Sequence, residues 1–295
     1  MLLTSGSGYQ QFGEDVLSDD KFEAKPVYLV PILASLMVGL GCAYLLLTRS
    51  VPIYPVTPFP DTPSGSLSNA IYFVVIIAIS ATIFYLLLKW KSRKMIAFLT
   101  GFALTAASML LSIFYLSALF SSVPNWELIV VVLSIIITVL FDIAIFRLGN
   151  KARNIVVVAL GGALGVFLGA SIPLLSAVLI LAFLAVYDVV AVYKGPVGKI
   201  ANAGLDQLKG LSFAFKDIQM GLGDLVFYSM LSAVMLLNGD FGGWIPYLGS
   251  VLGILIGSFV TLRILEKKGV FPGLPIPIFL GLAFGILWSL VPIYF

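Results

Sequence analysis

Asp188 and Asp224 are the residues of this sequence whose type and placement could do chemistry. Asp188 interrupts the apolar run LILAFLAVYDVVAVYKGP, and Asp224 sits inside MGLGDLVFYSM. An ionisable side chain deep in such a segment costs on the order of 2.5–3.5 kcal/mol by insertion scales, so each acid needs a partner or a task. Asp188 precedes Lys194 by six residues and Asp224 follows Lys216 by eight. Along helical paths those separations are roughly 9 Å and 12 Å. Consecutive antiparallel helices tend to be neighbours, so the two acids are expected to face each other at similar depth. No Lys or Arg shares that depth. Two facing carboxylates in low dielectric cannot both ionise readily, and the pair is expected to hold one proton and to titrate as a unit. Such a pair can activate water against a carbonyl, one member taking a proton while the other supplies one. The same pair could instead be structural, or supply the coupling carboxylates of a transporter.

Other chemistry is restricted. The chain has no histidine, which removes Ser-His and Cys-His nucleophilic catalysis and His-ligated zinc or haem. Its single cysteine, Cys42, lies in the first apolar run, so it forms no intrachain disulfide and reads as a packing residue. No metal or cofactor is expected. A third acid inside an apolar segment, Asp142, lies about one turn before Arg147. A local ion pair or exposure at the headgroups is the expectation there.

The elements that must position the two acids follow from composition. Apolar residues make up 60% of the chain and charged residues 11%, and the mean hydropathy is +1.11. A soluble domain of this composition would have too little charge on its surface. The expectation is an all-α polytopic membrane protein, with apolar segments near 27–48, 69–88, 95–120, 127–146, 154–170, 173–193, 220–238, 244–263 and 272–292. Pro173 separates the fifth segment from the sixth. Residues 1–26 are polar and fairly acidic, and read as a mobile tail. With nine spans (27–193 and 220–295, joined by a loop over 194–219), 16 of the 17 Lys and Arg residues fall on one face and only Arg49 on the other. The positive-inside rule then predicts a cytoplasmic N-terminus and a C-terminus outside. Glycines at four-residue spacing (161, 165 and 169; 249, 253 and 257; 281 and 285) predict close helix packing.

The wording around the acids resembles a known family. LAVYDVVAVYKGP (184–196) and GLGDLVFYS (221–229) look like the paired YD and GxGD signatures of the presenilin and signal peptide peptidase family of intramembrane aspartyl proteases. That family carries a Pro-Ala-Leu motif opening its last helix; here Pro272, Gly273 and Leu274 occupy those places, followed by Pro275, with Gly in place of Ala. Nine spans with a cytoplasmic N-terminus resemble presenilin rather than the inverted signal peptide peptidase. The resemblance is specific over the sixth, seventh and ninth segments. The 6–7 loop lacks the long self-cleaved segment of presenilins.

The resemblance implies catalytic roles for Asp188 and Asp224 and a substrate-gripping role for Pro272–Leu274. It implies transmembrane-helix substrates in a lipid bilayer, a single uncut chain with no obligate partner subunits, and no nucleic acid; a homo-oligomer stays open. Gly221 and Gly223 remove side chains beside Asp224, either for close approach of a helix or substrate backbone or simply for helix packing. Tyr187 reads either as a hydrogen-bond partner near the acids or as an ordinary interfacial aromatic. In the loop, LSFAF (211–215) alternates as a strand does and is expected to pair with an unwound substrate. The competing functions are an ion- or proton-coupled transporter or pore using the same acids, and a non-catalytic chaperone of membrane helices.

Overall fold

The computed structural model describes residues 2–5, 23–49, 53–90, 92–194, 212–216, 218–238 and 243–290. Among them are nine α-helices. A 3-10 turn (Pro26–Leu29) leads into α1 (Val30–Thr48). Then come α2 (Pro63–Lys89), α3 (Arg93–Phe120), α4 (Trp126–Phe146), α5 (Asn150–Ser171) and α6 (Leu174–Tyr193). The last three are α7 (Leu222–Leu237), α8 (Trp244–Lys268) and α9 (Pro275–Ser289). In lipid every backbone polar group must be satisfied internally, and helices do this within each segment. Helix α2 begins ahead of its apolar run because Thr62 caps it. The Thr62 side chain accepts from the Gly65 amide at 3.1 Å, and Pro63 fills the first turn.

Among the described residues seven helices are long and apolar enough to cross a membrane, and the two shorter apolar ones are α7 and α9. The chain is an integral, multi-pass, all-α membrane protein. Large side chains such as Ile79, Phe98, Phe102, Leu128 and Leu140 point outward from α2, α3 and α4. Lipid is the solvent that covers such a surface.

The short helix α7 forms the centre, with the short helix α9 against it. Nearly every residue of α7 is buried, and α7 packs on α5, α1 and α8. Helix α9 packs on α8 and wedges against both α6 and α7. The glycine stripes hold these contacts at backbone distance. A Cβ at Gly165 of α5 would lie 2.4 Å from the Val226 carbonyl oxygen of α7, and one at Gly253 of α8 would lie 2.4 Å from the Leu280 carbonyl oxygen of α9. Polar side chains join further pairs. Asn69 of α2 donates to Ser176 of α6 at 3.1 Å, and Ser176 donates to Ser66 at 3.1 Å, all three buried. Asp142 accepts from the Thr105 hydroxyl of α3 at 2.9 Å. It therefore ties α4 to α3 and forms no ion pair with Arg147 among the described residues. Cys42 is half-buried in α1 and packs against the cluster around Ala43 and Tyr247.

A small antiparallel sheet caps the end of the bundle where α6 stops and α7 and α9 start. Its strands are β1 (Leu2–Ser5), β2 (Ser212–Phe215), β3 (Ile218–Gly221) and β4 (Val270–Pro272), in the order β2-β3-β1-β4. Strands β2 and β3 form a tight hairpin with Phe215 opposite Ile218 and Lys216 at φ 52°. Three expectations change here. Residues 2–5 of the polar tail form a strand, because β3 and β4 offer unpaired backbone edges on either side of them. The seventh and ninth helices start at Leu222 and Pro275, later than 220 and 272, because strand pairing holds the preceding residues extended. The expected strand at 211–215 is found over Ser212–Phe215, with Leu211 outside the described residues, and its partner is β3.

Candidate active site

Three chain segments meet just beneath the sheet. Helix α6 brings Asp188 five residues before its end, and the residue is buried. Helix α7 brings Asp224 in its first turn, fully buried. The helical path once expected between Lys216 and Asp224 is instead a strand followed by a helix start, so Asp224 hangs from the junction. Between the two acids lies Pro272–Gly273–Leu274, the connection from β4 into α9, buried along its whole length. Proline at 272 and again at 275 and 277 keeps this stretch from joining a regular helix until Pro275.

Both carboxylates contact this one dipeptide. The Leu274 amide donates to Oδ2 of Asp188 at 3.1 Å. One residue earlier, a methyl group placed on Gly273 would lie 3.0 Å from Oδ1 and 3.1 Å from Oδ2 of Asp224. Adjacent Cα atoms are about 3.8 Å apart, so the two acid side chains converge on a single small volume. Neither oxygen of Asp224 makes a well-formed hydrogen bond among the described residues, although the Gly221 backbone lies close enough to interact weakly. A buried carboxylate in that condition calls for an explanation, a catalytic task being one.

The dipeptide is itself held. Tyr228, fully buried one helical turn after Asp224, donates its hydroxyl to the Gly273 carbonyl at 2.7 Å. Residues four apart on a helix share a face, so Tyr228 and Asp224 approach Gly273 together. Tyr228 was not singled out as a positioning residue from the sequence, although its spacing from Asp224 carried the signal. Tyr187, which was, is half-buried on α6 and makes no hydrogen bond among the described residues. Gly221 ends β3 opposite Ser212 and serves as the N-cap of α7, and Gly223 is half-buried in the first turn. Pro272 pairs with Leu2, Gly273 adjoins Asp224, and Leu274 reaches Asp188. No three His, Cys, Asp or Glu side chains among the described residues are grouped to hold a metal ion.

No family model matches the chain. Its fold matches that of solved structures. One, a presenilin family intramembrane aspartate protease in space group C222, superposes with a TM-score of 0.65 at 19% identity, over 90% of this chain and 99% of that one. A presenilin family intramembrane aspartate protease in space group P2 gives a TM-score of 0.61 at 20% identity, over 94% of this chain and 98% of that one. The likeness spans nearly the full length of both partners, and the chain has the presenilin-like fold.

Proposed function

We propose that this protein is an intramembrane aspartyl protease of the presenilin and signal peptide peptidase family, which hydrolyses peptide bonds in transmembrane helices with Asp188 and Asp224 as its catalytic pair. The observation that carries this reading is the convergence of two buried carboxylates from α6 and α7 on Gly273–Leu274. The presenilin-like fold, in solved proteins described as intramembrane aspartate proteases, supports it.

The pair works with one proton between its members. The ionised carboxylate takes a proton from water as the water oxygen bonds to the scissile carbonyl carbon. The protonated one donates to the carbonyl oxygen, giving a neutral gem-diol. Collapse reverses the roles: a hydroxyl proton returns to the carboxylate, the amide nitrogen receives a proton from the other acid, and the C–N bond breaks. A helical substrate must first unwind, because its scissile carbonyl is otherwise engaged in the i→i−4 ladder. Pro272–Leu274 grips the unwound stretch, and Tyr228 positions that segment through the Gly273 carbonyl.

The sheet and the acids lie at the end of the bundle that also carries Lys194, Lys216, Arg263, Lys267 and Lys268. By the positive-inside rule that end faces the cytoplasm, with the start of α1 inside and the end of α9 outside. Cleavage therefore occurs near the cytoplasmic leaflet. The enzyme acts as a single uncut chain without partner subunits.

The test is cleavage of a synthetic transmembrane peptide by purified, detergent-solubilised protein, with a transition-state-mimicking aspartyl protease inhibitor as control. Asp188→Ala and Asp224→Ala should each abolish product. Product formation that survives both single substitutions would sink the assignment. Proton or cation flux across liposomes without any cleavage would establish the transporter reading instead.

A further inference from the structure

The sheet order sets a strand remote in sequence between the two that lead into the site. Strand β3 runs directly into Asp224, and β4 runs directly into Gly273 and Leu274. These two strands do not pair with each other. Leu2–Ser5 lies between them, antiparallel to both: Thr4 faces Gln219 and Ser5 faces Ile218 on one side, while Leu2, Leu3 and Thr4 face Pro272, Phe271 and Val270 on the other. With strands about 4.8 Å apart, β3 and β4 stand roughly 10 Å from each other, which is the width of one intervening strand.

We propose that β1 is an internal pseudosubstrate: the gap between β3 and β4 is a slot for one extended peptide, and Leu2–Ser5 occupies it in competition with the unwound segment of a substrate. The identity of the competitor rests on the protease reading above; the slot itself does not. Three observations carry the proposal. Both edges of the slot are hydrogen-bonded to β1 through backbone groups, which take any sequence able to lie extended. The register is directional: the Leu2 end lies opposite Pro272, next to the Gly273 contact with Asp224, and the Ser5 end lies opposite Ile218, away from it. The occupant thus points one end at the carboxylates. Finally, the chain after β1 returns to the same end of the bundle. The Ala24 amide donates to Oε2 of Glu266 near the end of α8 at 3.2 Å, and β1 also lies against α8. Ser5 and Glu23 are 18 residue steps apart in sequence, so β1 stays covalently attached whether the slot holds it or a substrate. A tethered competitor acts at an effective concentration that a free substrate must exceed. At four residues it is a short occupant, displaced by a substrate whose flanking helix adds contacts in the bundle.

Three variants and one probe test this. The first variant lacks residues 2–5. The second is Thr4→Pro, which removes the amide of the residue paired on both edges. The third, Thr4→Cys with Val270→Cys, can be oxidised to fix β1 against β4. The probe is a fluorescein-labelled peptide of residues 2–11, its binding followed by anisotropy in detergent on an Asp188→Asn/Asp224→Asn background. The expected results are probe binding on the order of tenfold tighter to the deletion variant than to the full chain, and a KM for the transmembrane peptide lowered by a similar factor at unchanged kcat. Thr4→Pro should move both in the same direction. Unlabelled peptide should inhibit the deletion variant competitively, and the oxidised double-cysteine variant should be inactive until dithiothreitol restores it. Equal probe binding and equal KM in the full chain and in both the deletion and Thr4→Pro variants would overturn the proposal even if Asp-dependent cleavage is present. Probe binding that depends on residues 2–5 in a protein that cleaves nothing would uphold the slot and overturn the protease reading alone.

Discussion

The backbone amide of Leu274 donates to Asp188 across 86 positions of sequence, at 3.1 Å, in a site sealed from solvent. That bond fixes one acid by a main-chain group, which no side-chain replacement removes except proline. Leu274 has φ −79°, a value proline adopts without strain. Leu274→Pro deletes the donor and sets its ring Cδ where the amide points at Asp188, so the carboxylate must move although the φ at 274 is tolerated. Leu274→Ala keeps the donor and deletes the buried side chain. If orientation of Asp188 by the amide matters, Leu274→Pro should lower kcat by about a hundredfold, the order of effect of misplacing a reacting group by 1 Å. Leu274→Ala should act mainly on KM. Equal losses in kcat from the two substitutions would show that the side chain, not the amide, is what the site needs.

The shared proton makes the rate depend on pH in two opposite ways. At low pH both carboxyls are protonated and neither can take a proton from water. At high pH both are ionised and neither can donate to the carbonyl oxygen. Plotted as log kcat/KM against pH, cleavage should rise with a slope of about +1 and fall with a slope of about −1. The apparent values belong to the pair rather than to Asp188 or Asp224 individually. A profile with a single limb would show that one acid alone titrates in the working range and would remove the coupled mechanism.

Tyr228→Phe removes the hydroxyl that holds Gly273. The hydroxyl is fully buried and donates to the Gly273 carbonyl at 2.7 Å. Without it the carbonyl loses a partner at a site closed to water, which costs about 1–3 kcal/mol. Thermal unfolding should shift downward accordingly. Cleavage should fall as well, because the same carbonyl anchors the dipeptide between the acids. A full loss of stability with unchanged kcat would mean that Tyr228 braces the fold without positioning the site.

What was legible in the sequence follows from local physics. The nine apolar runs and the break at Pro173 were readable because a lipid-crossing helix advertises itself in about 20 consecutive residues. The two acids stood out because they were the costly exceptions within those runs. What stayed hidden was non-local. Met220 and Gly221 read as the start of the seventh helix because they lead an apolar run, and only the pairing of β3 with β1 and β2 makes them strand. Leu2–Ser5 could not be read as a strand because both its partners lie more than two hundred residues away. For Asp142 the sequence offers a local ion pair or exposure at the headgroups, and its hydrogen bond to Thr105 on another helix is not legible there. Tyr187 and Tyr228 were equally conspicuous tyrosines, and only the placement of Gly273 decides that Tyr228 is the one with a buried acceptor.

Helix packing around the site gives a stability prediction with an internal control. A Cβ at Gly165 would meet the Val226 carbonyl oxygen at 2.4 Å, the Ser229 Cβ at 2.5 Å and the Met230 nitrogen at 2.8 Å. Two of those are backbone atoms, which cannot rotate away. Gly41, on α1, has nothing within 4 Å of the corresponding point. Gly165→Ala should push α5 from α7 and cost about 1–3 kcal/mol of stability, with loss of cleavage as Asp224 moves with its helix. Gly41→Ala should be neutral or slightly stabilising, since alanine favours the helix by up to about 1 kcal/mol. Thermal unfolding in detergent compares them directly; equal melting temperatures would mean that the α5–α7 contact yields without cost.

Gly273 is the position where this sequence departs from the Pro-Ala-Leu pattern it resembles, and the geometry says how much departure the site tolerates. The backbone there is not in the left-handed region, so alanine meets no conformational barrier. Its methyl would lie 3.0 Å from Oδ1 of Asp224 and 3.1 Å from Cγ and Oδ2. Those distances are a few tenths of an ångström too short, and the neighbour is the end of a side chain that can rotate by that amount. Gly273→Ala should therefore remain active within about tenfold of the parent, with the loss in kcat because Asp224 moves slightly from its best position. Gly273→Val adds two methyl groups where one already touches the carboxylate, and overpacking of that kind displaces side chains or backbone. Asp224 must then leave the volume it shares with Asp188, and cleavage should drop below detection while the melting temperature falls only modestly. The two variants measured side by side separate a contact that orients the acid from one that merely fills space. Full activity in Gly273→Val would mean that the Asp224 carboxylate works elsewhere than against residue 273.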